Sequence, residues 1–159
     1  MTNLHHLAEQ AVNKALEMRR TVATAESLTA GMVSAVLADT AGASGMLQGG
    51  VVAYQNSVKV DVLSVPAELL AAAGSVDGAV AAAMAAGART ALRADIGIAT
   101  TGVAGPEEHD GKAVGAVFIG IATAAGASYL EYGFTGNRAE IRGQACGAAL
   151  EGLIAALSS

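Results

Sequence analysis

The sequence has few of the residues that provide small proteins with cross-links and bulky cores. It contains one cysteine, Cys146, no tryptophan, and only three tyrosines and two phenylalanines among 159 residues. A single cysteine excludes an internal disulfide and any cysteine-based zinc cluster. Because aromatic side chains are rare, the core must consist of Ala, Val, Leu, Ile and Met, with neighbouring backbones in close approach.

Positive charge is also scarce. Nine Lys and Arg against 14 Asp and Glu give a net charge of −5, so no basic stripe is available to bind nucleic acid. Glycines and charged residues interrupt every apolar run before it reaches the length of a membrane span. The N-terminus, MTNLHHLAEQ, lacks the basic end and apolar centre of a signal peptide. We therefore expect a cytoplasmic protein that binds neither nucleic acid nor a membrane.

Predicted strands and helices alternate along most of the chain. Strands are predicted at 21–25, 49–54, 96–101, 114–123 and 127–134, and helices at 3–20, from Met32, and at 56–63, 66–74, 77–93 and 137–157. Thr2 or Asn3 is expected to cap the first helix and Asn56 the third. Residues 41–45 are predicted to be a flexible connection.

This order of elements predicts the fold class. Helical crossovers separate the first strands, whereas the last two strands follow each other closely and form an antiparallel hairpin. We therefore expect a single α/β domain over residues 1–159, a three-layer α/β/α sandwich with a mixed central sheet. The chain can equally be one domain of a longer architecture.

The stretch Thr21–Gly31, TVATAESLTAG, joins a predicted strand to a helix. Such a junction lies at the carboxyl edge of the sheet, where open α/β folds bind ligands. It also brings a hydroxyl near the free N–H groups of a helix N-terminus, which favour negative charge. Ser27 is therefore a candidate nucleophile. The alternative is that Ser27 or Thr29 only caps the helix.

Lys59 follows the second predicted strand and is expected at the same sheet edge as Ser27. A lysine in apolar surroundings loses its proton more easily, because burial disfavours the charged form, and it can then act as the base for a serine. The alternative is a solvated helix lysine. The histidines offer no better base, since His5 and His6 lie in the first helix and His109 in a polar loop.

Two further stretches can contact an anion or a carbonyl group. Residues 100–106, TTGVAGP, follow the third predicted strand, and their N–H groups can line such a site, although the glycines can equally serve a tight turn. Arg138 and Arg142 begin the last helix, where cations oppose the helix dipole. Either Glu140 or a bound anion can compensate, so a phosphate site and an exposed, salt-bridged helix start both remain open.

Five motifs, AESLTAG, GGVVAYQNSVK, TTGVAGP, AVGAVFIGIA and FTGNRAEIRGQA, occur in the order and spacing of a known family. From about Leu7 to Leu157 the chain resembles the C-terminal domain of the competence/damage-inducible protein CinA, whose members include nicotinamide-nucleotide amidases. The resemblance implies a cytoplasmic α/β/α hydrolase that deamidates nicotinamide mononucleotide to nicotinate mononucleotide and ammonia. It also implies a homodimer, with no cofactor and no metal.

The resemblance also implies a set of site residues. Ser27 matches the family's nucleophile, Lys59 its base, and Tyr54 the tyrosine of the same motif as the lysine. We expect the following residues to bind substrate: Glu26, Thr29, Gly31, Asn56, Thr101, Gly102, Gly105, Arg138 and Arg142.

The sequence departs from the family pattern beside the nucleophile and in one loop. Leu28 and Ala30 replace a Cys and a Gly, so we expect an enlarged wall at Leu28 and ordinary backbone angles at Ala30. The loop after Pro106, EEHDGKA, lacks the family's Asp-Gly-Gly and the Pro before Val-Gly. These differences leave a second function class open, a catalytically weak or silent nucleotide-binding or regulatory domain.

Overall fold

The computed structural model describes residues 3–159, which form five β-strands and six α-helices. In chain order these are α1 (Leu4–Met18), β1 (Val22–Glu26), α2 (Met32–Ala38), β2 (Leu47–Val52), α3 (Asn56–Asp61), α4 (Ala67–Ala73), α5 (Gly78–Ala91), β3 (Ile96–Gly102), β4 (Ala116–Thr123), β5 (Gly126–Gly133) and α6 (Arg138–Leu157). No helix among the described residues is both long and apolar enough to cross a membrane.

The strands form one mixed sheet in the order β2-β1-β3-β4-β5. β1 pairs in parallel with β2 and β3, whereas β4 is antiparallel to β3 and β5. After β1 the chain continues to β2 on one side of it and then returns to β3 on the other. This reversal separates the loops that follow β1 and β3, which leaves a crevice at the carboxyl edge of the sheet.

Helices cover both faces of the sheet, and side chains along each strand alternate between two cores. Val22 of β1 and Ile98 of β3 join the core beneath α1, α2 and α6. Ala23 and Ala99 join the core beneath α5 on the opposite face. The predicted three-layer α/β/α fold with a mixed sheet is therefore confirmed.

α5 packs unusually close to the sheet because glycines face it. A Cβ added at Gly97 of β3 would lie 2.0 Å from the Ala85 carbonyl oxygen, and one at Gly120 of β4 would lie 2.0 Å from that of Ala81. Small side chains on α5 complete this contact. The scarcity of aromatic residues thus has a structural counterpart, since this layer is held together by backbone proximity rather than by bulky side chains.

Several local predictions can be compared with the structure. Asn3 caps α1 by accepting a hydrogen bond from the His6 amide, as expected, while the alternative cap Thr2 lies outside the described residues. Asp77 likewise caps α5. Asn56 does not cap α3, because it is the first helical residue and Gln55 precedes it without a side-chain cap.

Other local predictions are wrong in position or type. Residues 41–45 are not a loose connection, since Ala43–Gly45 form a 3₁₀ turn closed by backbone hydrogen bonds. β1 begins and ends one residue later than predicted, and β2 begins and ends two residues earlier. These differences follow from pairing with neighbouring strands, which fixes strand ends that periodicity alone leaves open.

Candidate active site

A cleft of about 630 Å³ opens at the carboxyl edge of the parallel strands. Its walls come from the segments that follow β1, β2 and β3, from the connection before α5, and from the start of α6. The lining consists of residues 27–28, 54–56, 75–76 and 101–109, with Arg138. The cleft therefore occupies the crevice that the strand order creates.

Ser27 directly follows β1, and a four-residue turn, not a helix, comes next. Its amide donates to the Thr100 carbonyl and its carbonyl accepts from the Ala30 amide. Ala30 has φ of 47°, in the left-handed region, and Gly31 has φ of 98°. The expectation of ordinary backbone angles at Ala30 is therefore wrong, because closing this tight turn requires a reversal that costs an alanine about 1 kcal/mol.

The start of α2 is occupied by Glu26, not by Ser27. The buried Glu26 carboxylate accepts from the Val33 and Ser34 amides and from the hydroxyls of Thr29 and Ser34. A negative charge at a helix N-terminus is stabilised by these free amides. The expectation that Ser27 lies beside them is wrong, and so is the alternative that Ser27 or Thr29 caps the helix, since Gly31 holds the cap position.

Lys59 reaches the Ser27 side chain from α3. Its Nζ lies 3.1 Å from Ser27 Oγ, 2.7 Å from the Ala53 carbonyl oxygen and 3.3 Å from that of Tyr54. A neutral amine has two N–H groups and one lone pair. As the ammonium, Lys59 donates to all three oxygens. As the neutral amine, it can donate to the two carbonyls and accept from the Ser27 hydroxyl.

Burial favours this neutral form. Lys59 is only 1% exposed, so the alternative of a solvated helix lysine is wrong. Desolvation lowers the pKa of Lys59 from 10.5 to about 8, and the Asp110 carboxylate opposes this by raising it. A substantial fraction of Lys59 is therefore unprotonated at mildly alkaline pH.

One backbone amide beside Ser27 is available to a ligand. The Leu28 N–H donates to no acceptor among residues 3–159 and Leu28 lines the cleft, whereas Thr29 is buried outside the lining. The amide that follows a nucleophilic serine is the usual donor to the oxyanion in acyl transfer. This turn can therefore supply both a nucleophile and electrostatic stabilisation.

Arg142 holds the same turn from behind. Its Nε donates to the Leu28 carbonyl at 2.8 Å, and its Nη2 donates to the Thr29 carbonyl at 3.1 Å. The guanidinium lies outside the cleft lining, so the structure does not place Arg142 where the expected substrate contact would require it. Because a peptide is planar, fixing the Leu28 carbonyl also fixes the direction of the Thr29 N–H.

We expect Arg142→Ala to lower kcat more than tenfold while changing KM less than threefold. The loss of two charged hydrogen bonds frees the turn that carries Ser27, which misplaces the nucleophile more than it weakens binding. Steady-state kinetics with nicotinamide mononucleotide, alongside the exposed control Arg93→Ala, provide the measurement. A rise in KM alone would instead indicate direct substrate binding.

Arg138 and Tyr54 both line the cleft and contact each other. Arg138 donates through Nη1 to the Gly105 carbonyl and through Nη2 to the Tyr54 hydroxyl at 3.1 Å. Asn137 and Glu140 form a reciprocal capping box at the start of α6. Glu140 thus offsets the unfavourable dipole by capping, and Arg138 is left beside the cleft as a cation.

The structure therefore brings together only part of the predicted site. Besides Ser27 and Tyr54, the cleft is lined by Asn56, Thr101, Gly102, Gly105 and Arg138, with Lys59 just behind Ser27. The expected substrate-binding residues Glu26, Thr29, Gly31 and Arg142 lie outside the lining and support the serine turn. Gln55, Ser75, Val76 and the 107–109 segment also line the cleft but were not among the predicted site residues, because they reach it only through the packing of loops.

Residues 3–159 contain no group of three or more His, Cys, Asp or Glu side chains arranged to hold a metal ion. The groups that the described site places closest together are a hydroxyl, an amine and a backbone amide. Fold and site together define a three-layer α/β domain with a buried lysine amine beside a serine hydroxyl at the carboxyl edge of its sheet.

The chain belongs to the CinA C-terminal domain family, whose model matches residues 4–157. A CinA-like protein of Mycolicibacterium gilvum is 46% identical over 146 residues, covering 91% of this chain and 35% of the relative. A CinA-like protein of Synechococcus is 45% identical over 147 residues, with the same coverage. The chain spans about a third of the length of these curated relatives.

Solved structures of related proteins share this fold over nearly the whole chain. A CinA superfamily protein from Klebsiella pneumoniae superposes with a TM-score of 0.95 at 32% identity, covering 99% of both chains. The competence/damage inducible protein CihA from Agrobacterium tumefaciens gives a TM-score of 0.93 at 34% identity and covers 100% of both.

Proposed function

We propose that this domain hydrolyses the carboxamide of nicotinamide mononucleotide, releasing nicotinate mononucleotide and ammonia. The observation that carries the proposal is the buried Lys59 amine 3.1 Å from Ser27 Oγ. Membership of a family associated with this amidase activity supports the choice of substrate. The single domain over residues 1–159, as an amidohydrolase unit, is part of the same proposal.

In the first half-reaction the neutral Lys59 amine accepts the Ser27 proton as Oγ attacks the carboxamide carbon. The Leu28 amide donates to the oxygen that becomes negative. The tetrahedral intermediate then collapses, the C–N bond breaks, and the Lys59 ammonium gives its proton to the departing nitrogen, which leaves as ammonia. The product on the protein is an ester of Ser27.

In the second half-reaction water replaces ammonia. Neutral Lys59 accepts a proton from the water as its oxygen attacks the ester carbon. Collapse of this second intermediate breaks the bond to Ser27 Oγ, which recovers its proton from Lys59. The carboxyl group is released, and the serine and the amine return to their starting states.

The cleft has the size and polarity that a mononucleotide requires. Its volume of about 630 Å³ lies within the range of small-molecule sites. Arg138, beside the Gly105 carbonyl and the Tyr54 hydroxyl, supplies a cation in the lining of the cleft. We assign Arg138 and the 102–105 loop, rather than Arg142, to the phosphate or ribose of the substrate.

Ammonia release from nicotinamide mononucleotide by the purified protein tests the proposal across pH 6 to 9.5. We expect kcat/KM to rise with pH and level off above a midpoint of about 8, because the base must be unprotonated and the pKa of Lys59 is lowered to about 8. Below this midpoint the rate should fall tenfold per pH unit.

Absence of ammonia at every pH would contradict the proposal. Saturable binding of the nucleotide without hydrolysis would then indicate the alternative, a silent binding or regulatory domain. A cytoplasmic location and a homodimer are further parts of the proposal and depend on the family resemblance. Sedimentation velocity at micromolar concentration distinguishes the dimer from a monomer.

A further inference from the structure

The loop after Pro106, where the sequence departs from its family, has a defined structure. His109 and Lys112 exchange backbone hydrogen bonds, and Asp110 and Gly111 form the turn between them with positive φ angles of 48° and 72°. This pattern is a two-residue hairpin turn. Glu107, Glu108 and His109 of the same loop line the cleft.

Asp110 attaches this hairpin to a different part of the cleft wall. One of its carboxylate oxygens, Oδ2, accepts from the Ser75 amide and from the Ser75 hydroxyl, both at 2.9 Å. The Ser75 carbonyl in turn accepts from the buried Thr101 hydroxyl at 2.6 Å. Three chain segments around the cleft thus meet at Ser75, which donates to Asp110 and accepts from Thr101.

The same carboxylate acts electrostatically on Lys59. Hydrogen bonds from Ser75, together with His109 and Lys59, lower the pKa of Asp110, so it is ionised throughout the neutral range. Its charge favours the protonated amine and raises the pKa of Lys59 against the effect of burial. The loop places four titratable groups near the site: Glu107, Glu108 and His109 line the cleft, and His109 Nε2 lies 3.4 Å from Asp110 Oδ2.

We propose that Asp110 is a positioning residue of the site, which fixes the 107–112 hairpin as a wall of the cleft and supplies a negative charge to the surroundings of Lys59. The proposal deepens the amidase function and depends on it for the kinetic readout alone. Asp110 then has two separable effects: its hydrogen bonds to Ser75 hold the hairpin in place, and its charge acts on Lys59.

Three substitutions separate these effects. Asp110→Asn keeps an acceptor oxygen for Ser75 but removes the charge, Asp110→Ala removes both, and Ser75→Ala removes one hydrogen bond while keeping the charge. Glu9→Gln on α1, an exposed acid on the opposite side of the sheet from α5, controls for the change in net charge.

We expect Asp110→Ala to raise KM about fivefold or more, because the hairpin is released from the wall. Asp110→Asn should leave KM within twofold of wild type but move the midpoint of the pH profile to lower pH. Ser75→Ala should raise KM without moving the midpoint. Wild-type KM in Asp110→Ala, or an unmoved midpoint in Asp110→Asn, would overturn the proposal.

A second measurement does not depend on amidase activity. The chain contains only three lysines, so ¹³Cε-lysine labelling gives three NMR signals, of which Lys59→Met identifies one. The Lys59 signal should titrate at lower pH in Asp110→Asn than in wild type or Glu9→Gln. Identical titrations would overturn the proposal. This test depends neither on hydrolysis of the nucleotide nor on the folding of Asp110→Ala.

Discussion

Ser27→Ala and Lys59→Ala should each lower the turnover of nicotinamide mononucleotide by about 10³-fold or more. Without Ser27 no covalent intermediate can form, and without Lys59 nothing removes the serine proton or protonates the leaving nitrogen. Because the two side chains act as one unit, the double variant should be scarcely slower than either single variant. Ammonia release should be measured with enzyme at micromolar concentration, so that rates about 10³-fold below wild type can still be detected.

Matched variants separate loss of chemistry from loss of structure. Ser57→Ala, on the exposed side of α3, and Lys14→Ala, on α1, should retain wild-type turnover. Lys59→Arg should be as inactive as Lys59→Ala, because a guanidinium keeps its proton at neutral pH. Near wild-type turnover in Lys59→Arg would refute the assignment of the base. A folded, fully active Ser27→Ala would refute the covalent mechanism.

Gly120→Ala should be among the most damaging single-methyl changes to stability. The new Cβ would lie 2.0 Å from the Ala81 carbonyl oxygen of α5. No side-chain rotation can relieve a contact between a Cβ and a backbone, so α5 must move away from the sheet along its length. We expect a loss of at least about 3 kcal/mol in the free energy of unfolding, which lowers Tm by roughly 6 to 12 °C.

Gly143→Ala provides the control within the same protein. Gly143 lies in α6, and an added Cβ there meets nothing within 4 Å. The same methyl group should raise the free energy of unfolding by up to about 1 kcal/mol, since alanine loses less backbone entropy in a helix. Urea denaturation measures both variants. Equal stability of the two would show that α5 is not held at the distance described.

Local sequence patterns predicted part of the candidate site but not all of its contacts. The strand ends before Ser27 and Lys59 were sufficient to predict that both residues lie at one sheet edge, because parallel strands present their carboxyl ends together. The pattern did not show that the helix amides after β1 bind Glu26. That contact depends on a four-residue turn whose left-handed Ala30 has no signature in the sequence.

The role of Arg142 could not be predicted for a different reason. A cation in the first turns of a helix is typical of an anion site, and the sequence offers no sign that the Leu28 and Thr29 carbonyls lie within its reach. Those carbonyls are more than a hundred residues away along the chain. Only the packing of α6 against the turn after β1 brings them together.

The sequence by itself determined the layered α/β fold, a cap of the first helix at Thr2 or Asn3, the start of a helix near Asp77, and the two side chains most suited to chemistry. These features depend on periodicity, on local hydrogen bonding and on residue type, all of which act over a few residues. The tertiary structure alone decided the 3.1 Å approach of Lys59 to Ser27, the desolvation that lowers the lysine pKa, and the attachment of Asp110 to Ser75. Those properties arise from groups distant in the chain and from the exclusion of water, neither of which a local pattern encodes.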